Sequence, residues 1–557
     1  MTTNNDSKYN PIVTIAIWAI ILLVVNYFQR FKLYTFESDH LFLFDTDWII
    51  GHLREVGGIN LLITSFVTQF FKFPIIGTIV TTIIYATVIF CANKLILSVV
   101  NAKILNPLAL VPVGFMVLCI EDPFYGYRGH TAMAVGMAAV IVYQRVIQQK
   151  EKYEIALTLA FSVVLYALFG AVALLFDATI LTIALLNKRK ALAALIATAV
   201  TLLFCFVALI SEQFISITEA TLPTQYYNWP TPYRTMLFAW LAVPAILLLA
   251  KAENVIKAKF NIIDAAILLV IIVAFGLGFN KLHNSKIAKM QHEAYLADNN
   301  RWDDILKLNK RSNSPANIVS YTNLALAIQG QLLDRMFEFN QQLPAQRTDS
   351  RTVRNEIMRM ESLVYYESGH VAEARKAAFN SALITPDGVE PHDFTRLISI
   401  NKSFGTDTVS QKYANALNKT LFYRQKATEA LADTNVSHLP QSNNFCEING
   451  FANDYQLIVE ANPQNLVAQQ FHIAYILLTA DKNRLLAYLN DHKGQPLHRR
   501  IEEACTLMFN PDECRDFGVS ENVINDFEKL KKGQSINYFY QSYWYYIAYL
   551  NTTIKQK

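Results

Sequence analysis

Long apolar runs separated by short polar loops fill the first half of the chain. A bilayer core about 30 Å thick needs about 20 mostly apolar residues per helix. Nine segments meet or approach that length, which predicts a bundle of about nine transmembrane helices. They are 11–29, 75–93, 104–120, 130–149, 153–170, 171–187, 191–211, 234–250 and 261–280. Segments 153–170 and 171–187 join almost directly, so they would also fit a short hairpin or a bent pair.

From Ser285 onward the pattern changes to an apolar period near 3.6 with charged residues between, which predicts amphipathic helices rather than spans. The clearest pair covers 351–368 and 371–383, with Gly369 at the turn and Pro386 after it. Small residues at the helix crossing, the turn glycine and the proline resemble a tetratricopeptide repeat, although no strict 34-residue period persists. The resemblance implies an α-solenoid whose concave face binds a protein partner.

These patterns together predict an all-α protein in four parts. Residues 1–284 form the transmembrane domain, and residues 285–432 form helical repeats. The stretch 433–450, rich in Asn and Ser, is a loop. Residues 451–557 hold further repeats and an aromatic capping helix, which could alternatively touch the membrane surface.

Composition and charge support this division. The chain has 557 residues, of which 53% are hydrophobic and 17% charged, and its mean hydropathy is +0.22. This excludes a single soluble domain and a disordered chain. Residues 1–285 carry 19 Lys and Arg against 15 Asp and Glu, whereas the rest is neutral. No basic block indicates nucleic-acid binding. The six cysteines are too few for a disulfide-built fold, but Cys505 and Cys514 could pair in an oxidising compartment.

Lysine and arginine in the short loops predict the orientation. Twelve lie in one set of alternate loops and six in the other. The richer side should be cytoplasmic. We therefore expect an inner-membrane protein with a cytoplasmic N-terminus, the helical repeats in the periplasm, and segment 11–29 as a retained anchor. The first segment alone argues against this, because Lys8 is outnumbered by Arg30 and Lys32. The richer set consists of Lys8, Lys94, Lys103, Arg145, Lys150, Lys152, Lys188, Arg189, Lys190, Lys251, Lys257 and Lys259.

The first outer loop, residues 30–74, has its own helical pattern. An apolar stripe at helical spacing over 48–56, then Gly57-Gly58, then a second apolar stretch too short to span predict helices over about 48–73. Such helices would lie in the plane of the membrane surface or re-enter it. The outer loops also concentrate tyrosine and tryptophan, as an interfacial aromatic belt does.

Four carboxylates occur within eleven residues of this loop, at Glu37, Asp39, Asp45 and Asp47. Asp45 and Asp47 would bind a divalent cation such as Mg²⁺ or Mn²⁺ through hard oxygens, or one would act as a general base. A cation would then hold a phosphate leaving group. The alternative is a solvated loop in which Asp47 caps the following helix.

A single crossing followed by an acidic motif and in-plane helices in a long outer loop resembles glycosyltransferases of the C superfamily. Those enzymes transfer sugars from polyprenyl phosphates, and many carry a soluble C-terminal domain. The matching residues are Asp45-Thr-Asp47 and the helices of 48–73. The resemblance implies that the catalytic acid is Asp45 or Asp47 and that Glu121-Asp122 forms a further metal or acceptor site.

The second outer loop places Glu121, Asp122, Arg128 and His130 at the mouth of two spans. Arg128 could hold a phosphate through two hydrogen bonds, which makes this group a candidate substrate site. The alternatives are an ion pair between Arg128 and Glu121 or Asp122, and a hydrogen-bonding role for His130 at the interface.

A second resemblance, to an uncharacterised bacterial family of multi-spanning proteins with C-terminal helical repeats, covers nearly the whole chain. It is carried by Phe66-Val-Thr-Gln-Phe-Phe71 with Pro74, by Tyr125-Gly-Tyr-Arg-Gly-His130, and by Tyr321-Thr-Asn-Leu-Ala-Leu326. This resemblance implies the architecture and no activity.

Two functional hypotheses remain. One is a transferase of lipid-linked sugar in envelope glycan assembly, acting on a polyprenyl-phosphate lipid in the bilayer. The other is a non-enzymatic envelope scaffold that recruits protein partners through its repeats. A transporter is disfavoured, because the spans lack paired charges at mid-membrane.

Overall fold

The computed structural model describes most of the chain. The described residues are 19–39, 41–100, 106–188, 191–228, 235–257, 263–310, 316–342, 354–385, 388–433, 439 and 451–548. Most of the predicted loop 433–450 and residues 11–18 of segment 11–29 therefore lie outside them. The described part is helical and contains no β-strand, only two isolated bridges. The all-α prediction is confirmed.

The chain divides into two compact units. The first contains residues 1–291 together with 385–389 and 419–421, and the second contains the remainder from residue 292. The boundary falls inside the helix Ser285–Asp298, a few residues beyond the predicted position.

The described residues of the first unit form a series of helices. A π-helical turn, Val25–Gln29, leads directly into the first of them. The helices are α1 (Arg30–Asp39), α2 (Thr46–Leu53), α3 (Gly58–Thr68), α4 (Pro74–Val99), α5 (Val111–Glu121), α6 (Arg128–Gln149), α7 (Glu154–Phe169), α8 (Val172–Leu186), α9 (Leu192–Ile210), α10 (Ile217–Thr221), α11 (Thr235–Lys257), α12 (Ile263–Leu282) and α13 (Ser285–Asp298).

Five described helices are long and apolar enough to cross a membrane. They are Pro74–Val99, Arg128–Gln149, Glu151–Phe169, Leu192–Ile210 and Thr235–Ala252. A bent pair, Ala266–Leu282 with Ser285–Asp298, would make a sixth. The chain is therefore built as a membrane protein, but the described residues contain fewer spans than the nine predicted.

Two of the predicted spans are absent because turn-forming residues shorten their helices. Segment 104–120 begins with a 3₁₀ turn at Pro107, so its helical part is Pro107–Glu121. Segment 171–187 starts after Gly170, whose φ of +72° breaks the chain direction, and forms only Val172–Leu186. A helix of 15 residues is about 22 Å long, less than the hydrocarbon core.

One buried carboxyl group connects three of these helices. Asp177 on α8 is fully buried, and it accepts hydrogen bonds from the hydroxyls of Ser162 on α7 and Thr201 on α9, the latter at 2.9 Å. Carboxyl groups inside an apolar bundle need such partners because water is not there to solvate them. The three hydrogen-bonding groups hold α7, α8 and α9 together.

The second unit consists of further helices, several of them at the predicted pairs. The predicted 351–368 and 371–383 correspond to Arg354–Glu367 and Val371–Ile384. The helices are α14 (Trp302–Asn309), α15 (Tyr321–Ile328), α16 (Leu332–Arg335), α17 (Arg354–Glu367), α18 (Val371–Ile384), α19 (Pro391–Ser403), α20 (Asp407–Asn418), α21 (Arg424–Ala432), α22 (Phe451–Ala461), α23 (Leu466–Thr479), α24 (Lys482–Asp491), α25 (Arg499–Met508), α26 (Pro511–Asp516) and α27 (Glu521–Lys531). The tetratricopeptide-like solenoid stays a prediction.

A buried charge network lies at the start of α19. Arg359 contacts Asp298 at 2.5 Å and Glu390 at 3.8 Å, and all three are largely buried. The Glu390 carboxylate accepts a hydrogen bond from the backbone N–H of Asp393 at 2.6 Å, so it caps α19. The Nδ1 atom of His392 lies 3.4 Å from Asp298. These contacts place two carboxyl groups, one guanidinium and one imidazole in a nearly dry interior.

Cys505 and Cys514, which the sequence allows to pair, are buried free thiols. Burial raises the pKa of Cys505 to about 12 and that of Cys514 to about 11. Thiols held protonated in this way are poor nucleophiles.

Candidate functional site

The two predicted catalytic carboxylates have different environments. Asp45 precedes α2 and accepts a hydrogen bond from the backbone N–H of Trp48 at 3.0 Å. Its carboxylate also pairs with Lys419, which clusters with the first unit. The Lys419 ammonium and the Trp48 N–H together lower the pKa of Asp45. Asp45, not Asp47, is therefore the helix cap, and its negative charge is compensated.

Asp47 lies in the first turn of α2 and is exposed. A carboxylate near a helix N-terminus is favoured by the helix dipole. Of the predicted pair, Asp47 is the group that an approaching substrate could contact.

Aromatic rings surround this acidic turn. The Phe42 ring lies 5.0 Å from Phe44, 5.4 Å from Trp48 and 5.5 Å from Phe66, measured between centroids. Trp48 in turn packs edge-on against His52 at 4.5 Å. We call Phe42, Phe44, Trp48 and Phe66 the aromatic cluster. Its Trp48 follows the exposed Asp47 directly in the sequence, and Phe44 and Phe66 are exposed.

Glu37 is the buried member of the acidic stretch. It lies on α1 with 2% of its surface exposed, whereas Asp47 is exposed. The sequence predicted Glu37 only as one of four carboxylates and gave it no role. A buried carboxylate needs protein partners in place of water, so Glu37 is not a group that a substrate could contact from solvent.

The predicted cation between Asp45 and Asp47 does not fit the side chains. One carboxylate is committed to a lysine and a backbone N–H, and the other is exposed on the helix surface. Across the described residues there is no group of three or more His, Cys, Asp or Glu that could hold a metal ion. Asp45 and Asp47 therefore do not fit a shared Mg²⁺ or Mn²⁺ ion.

Glu121 and Asp122 both have partners that hold chain segments in place. Glu121 accepts a hydrogen bond from the Gln29 amide at 2.8 Å, and its other oxygen lies 2.9 Å from Nδ1 of His283. The Asp122 carboxylate accepts from the backbone N–H of Phe124 at 3.0 Å, which shapes the turn that follows α5. Both acids thus contribute to the local structure of the loop.

His130 lies inside the bundle, not at its surface. It is fully buried, with Nδ1 2.7 Å from the Tyr125 hydroxyl and Nε2 3.2 Å from the Tyr85 hydroxyl. Its ring stacks on Tyr127, whose hydroxyl lies 2.8 Å from that of Thr81. The hydrogen-bonding role for His130 fits this geometry, although the group is interior rather than interfacial.

The glycines of Tyr125-Gly-Tyr-Arg-Gly-His130 allow this packing. A Cβ atom on Gly129 would lie 2.4 Å from the Tyr125 hydroxyl and 2.8 Å from Cε of Met236. The backbone N–H of Gly126 donates to the carbonyl of Tyr226 at 2.7 Å. The motif thus locks the second outer loop against the loop at 223–228.

The three predicted outer loops meet at one place. From the first loop, the Asn60 amide donates to the carbonyl of Arg128 at 3.1 Å, and the backbone N–H of Val56 donates to the Gln213 side chain at 2.9 Å. From the second loop, the Arg128 guanidinium donates through Nη2 to the carbonyl of Gln225 at 3.0 Å. We call this meeting point the loop junction.

The polar face of α3 was missed by the sequence reasoning, which took 59–73 as simply apolar. Asn60, Thr64 and Thr68 recur every four residues and are all buried. The Thr64 hydroxyl lies 2.6 Å from that of Thr131 on α6. A polar stripe at helical spacing within an apolar run was the signal that could have found this inward face.

The resemblance to an uncharacterised family is confirmed by comparison with known proteins. Residues 8–550 match the family of unknown function DUF6057. The chain belongs to this family. No curated protein and no solved structure matches it. The DUF6057 match covers nearly the whole chain and carries no assigned activity.

Proposed function

We propose that this DUF6057 protein is a membrane transferase that moves a sugar from a polyprenyl-phosphate donor. The observation that carries the proposal is the exposed Asp47 carboxylate beside the aromatic cluster, on a short helix of the first outer loop. Sugars bind through stacking on aromatic faces and through hydrogen bonds to carboxylates, and both features are present at this site.

In this proposal Asp47 is the general base. It would accept the proton of an acceptor hydroxyl while that oxygen attacks the anomeric carbon and the bond to the lipid phosphate breaks. Asp45 would keep its capping role and fix the start of α2. Helices α2 and α3 expose Ile50, Leu53 and Ile63, so their apolar side chains would hold the site at the membrane surface.

The orientation belongs to the same proposal. The outer loops meet at the loop junction, whereas Lys251 lies elsewhere in the unit and donates to the carbonyl of Val99 at the end of α4. Lys251 thus contacts the helix end that precedes Lys103 in the sequence, and this proximity of two lysine-bearing loops supports an inner-membrane protein with its basic side in the cytoplasm. The helical repeats would then lie in the periplasm.

The experiment compares Asp47→Asn with Asp45→Asn in the full chain. Membranes containing each variant would be incubated with undecaprenyl phosphate carrying a labelled hexose, and release of undecaprenyl phosphate would be followed. We expect Asp47→Asn to lower the rate by at least about a hundredfold, the usual contribution of a general base. Asp45→Asn should keep activity, because an amide oxygen still caps α2. Equal rates for Asp47→Asn and wild type would refute the assignment.

A non-enzymatic scaffold is the second candidate, and one observation favours it. Phe379 and Leu383 lie one turn apart on α18 and are 51% and 63% exposed. Large apolar side chains on one exposed helix face are typical of protein-binding surfaces. If membranes carrying wild-type protein show no transfer, and Phe379→Ser with Leu383→Ser abolishes recovery of a co-purifying protein, the scaffold is the better proposal.

A further inference from the structure

Three buried hydrogen-bond donors lie beside the loop junction. The Tyr226 hydroxyl, the Gln225 amide nitrogen and the Trp240 indole nitrogen are buried and have no hydrogen-bond partner within the described part of the chain. Tyr226 is 2% exposed and Trp240 is 5% exposed. Buried polar groups are nearly always paired in folded proteins, so three orphaned ones require an explanation.

These groups are neighbours rather than scattered atoms. The rings of Tyr226 and Trp240 meet edge to face with centroids 6.2 Å apart. Gln225 precedes Tyr226, and its carbonyl accepts from the Arg128 guanidinium. Burial raises the pKa of Tyr226, while the Gln225 side chain and the positive charge of Arg128 act to lower it. Arg128 therefore contributes a positive charge to the same location.

The chemistry of these groups selects the ligand. An indole and a guanidinium can only donate, an amide nitrogen donates twice, and a phenol donates once. A ligand that satisfies them must bring several acceptor oxygens. Phosphate has such oxygens and a charge opposite to that of arginine, with which it forms short charge-assisted hydrogen bonds.

We propose that Arg128, Gln225, Tyr226 and Trp240 form a binding site for a phosphate-type oxyanion. The site deepens the proposed function, since it would hold the phosphate of the polyprenyl donor, and in that respect it rests on that function. Binding needs no transfer, however, so the site can be tested separately. Two of its members, Tyr226 and Trp240, come from elements that the sequence analysis treated as an aromatic belt and a span.

The test uses the full chain purified in detergent, with inorganic pyrophosphate as the free probe and dioleoyl phosphatidate in nanodiscs as the lipid probe. Binding would be followed by the rise in Tm and by native mass spectrometry. Wild-type protein should bind at least one of them. Binding of pyrophosphate indicates a free phosphate group as ligand, and binding of phosphatidate alone indicates a lipid headgroup.

Tyr226→Phe is the decisive variant because it removes only the orphaned hydroxyl. Without probe its Tm should be close to that of wild type, since the hydroxyl loses only its weak interaction with the Gln225 side chain. Its affinity for the probe should fall about tenfold or more, the usual effect of losing a hydrogen bond to a charged group. Gln225→Leu should weaken binding similarly and gives a second measurement if the first variant folds poorly.

Tyr85→Phe is the matched control, because its hydroxyl already has a partner in His130. It should lower the Tm without probe and leave the affinity unchanged. Failure of wild type to bind either probe would overturn the proposal, and water would then be the partner of the buried donors. Unchanged affinity in Tyr226→Phe would overturn it as well. A failed transfer assay for Asp47 with intact probe binding would remove the proposed function and leave this site standing.

Discussion

Glu390 makes the stability of the second unit depend on pH. Burial raises the pKa of this carboxyl from its ordinary 4.5 to about 7, and the neighbouring Asp393 raises it further, while Arg359 opposes the shift. A raised carboxyl pKa means that the folded state holds the proton more tightly than the unfolded state. The stability it contributes is therefore complete below pH 4.5 and is lost as the pH rises through 7.

The size of the effect follows from that difference. One pKa unit is worth about 1.4 kcal/mol, so a change from 4.5 to about 7 corresponds to about 3 kcal/mol. The Glu390→Gln substitution removes the charge and keeps an oxygen that can accept from the backbone N–H of Asp393. We expect the variant to match wild type near pH 4.5 and to be more stable by about 3 kcal/mol at pH 8.

Hydrogen exchange of the peptides covering Pro391–Ser403 measures this difference in the full chain. Wild type and variant are compared at the same pH, so intrinsic exchange rates cancel. The contribution of His392, whose pKa burial lowers, is common to both proteins and cancels as well. Glu429→Gln, on the exposed face of α21, should show no pH-dependent difference. A difference that stays constant or shrinks between pH 4.5 and 8 would refute the reasoning.

Three further pairs of substitutions test single contacts of the first unit. Asp177→Asn should keep the Tm in detergent within a few degrees, because an amide can still hydrogen-bond to both hydroxyls. Asp177→Ala should lower the free energy of unfolding by about 1–3 kcal/mol. Equal losses of stability in the two variants would contradict the idea that these hydrogen bonds hold α7, α8 and α9 together. Gly129→Ala should reduce the folded yield in membranes, since its Cβ would overlap a tyrosine hydroxyl, while Gly276→Ala, with open space around it, should not. Asp45→Ala should lower stability by about 1 kcal/mol through loss of the α2 cap, a change that denaturant melts would detect, and Asp47→Ala should lower it less.

The length of the apolar runs predicted the helical class and the membrane unit, because the thickness of the bilayer core sets the number of consecutive apolar residues that a spanning helix needs. It did not predict span count, because a run of apolar residues does not show where a helix begins. Pro107 and Gly170 each shorten a helix without changing the hydropathy of the run. The presence of two helices within 48–73 was predicted well, since Gly57 marks the break between α2 and α3; their orientation to the membrane stays a prediction.

The site was harder to predict because its polar atoms come from distant segments. Asp45 and Asp47 lie together in sequence, yet only the fold shows that Lys419 engages the first and leaves the second exposed. Gln225 and Tyr226 carried no chemical signal in the sequence. Only the folded structure places their side chains near Arg128, because residues of the second outer loop hydrogen-bond to the backbone carbonyls of Gln225 and Tyr226.

Glu121 joins two residues that lie at opposite ends of the membrane unit's sequence, Gln29 and His283. One carboxylate on α5 therefore connects the segment that precedes α1 with the residue that follows α12. The rings of Phe28 and Phe279 meet at 5.1 Å beside it, so the segment that precedes α1 and the end of α12 are joined by polar and by aromatic contacts.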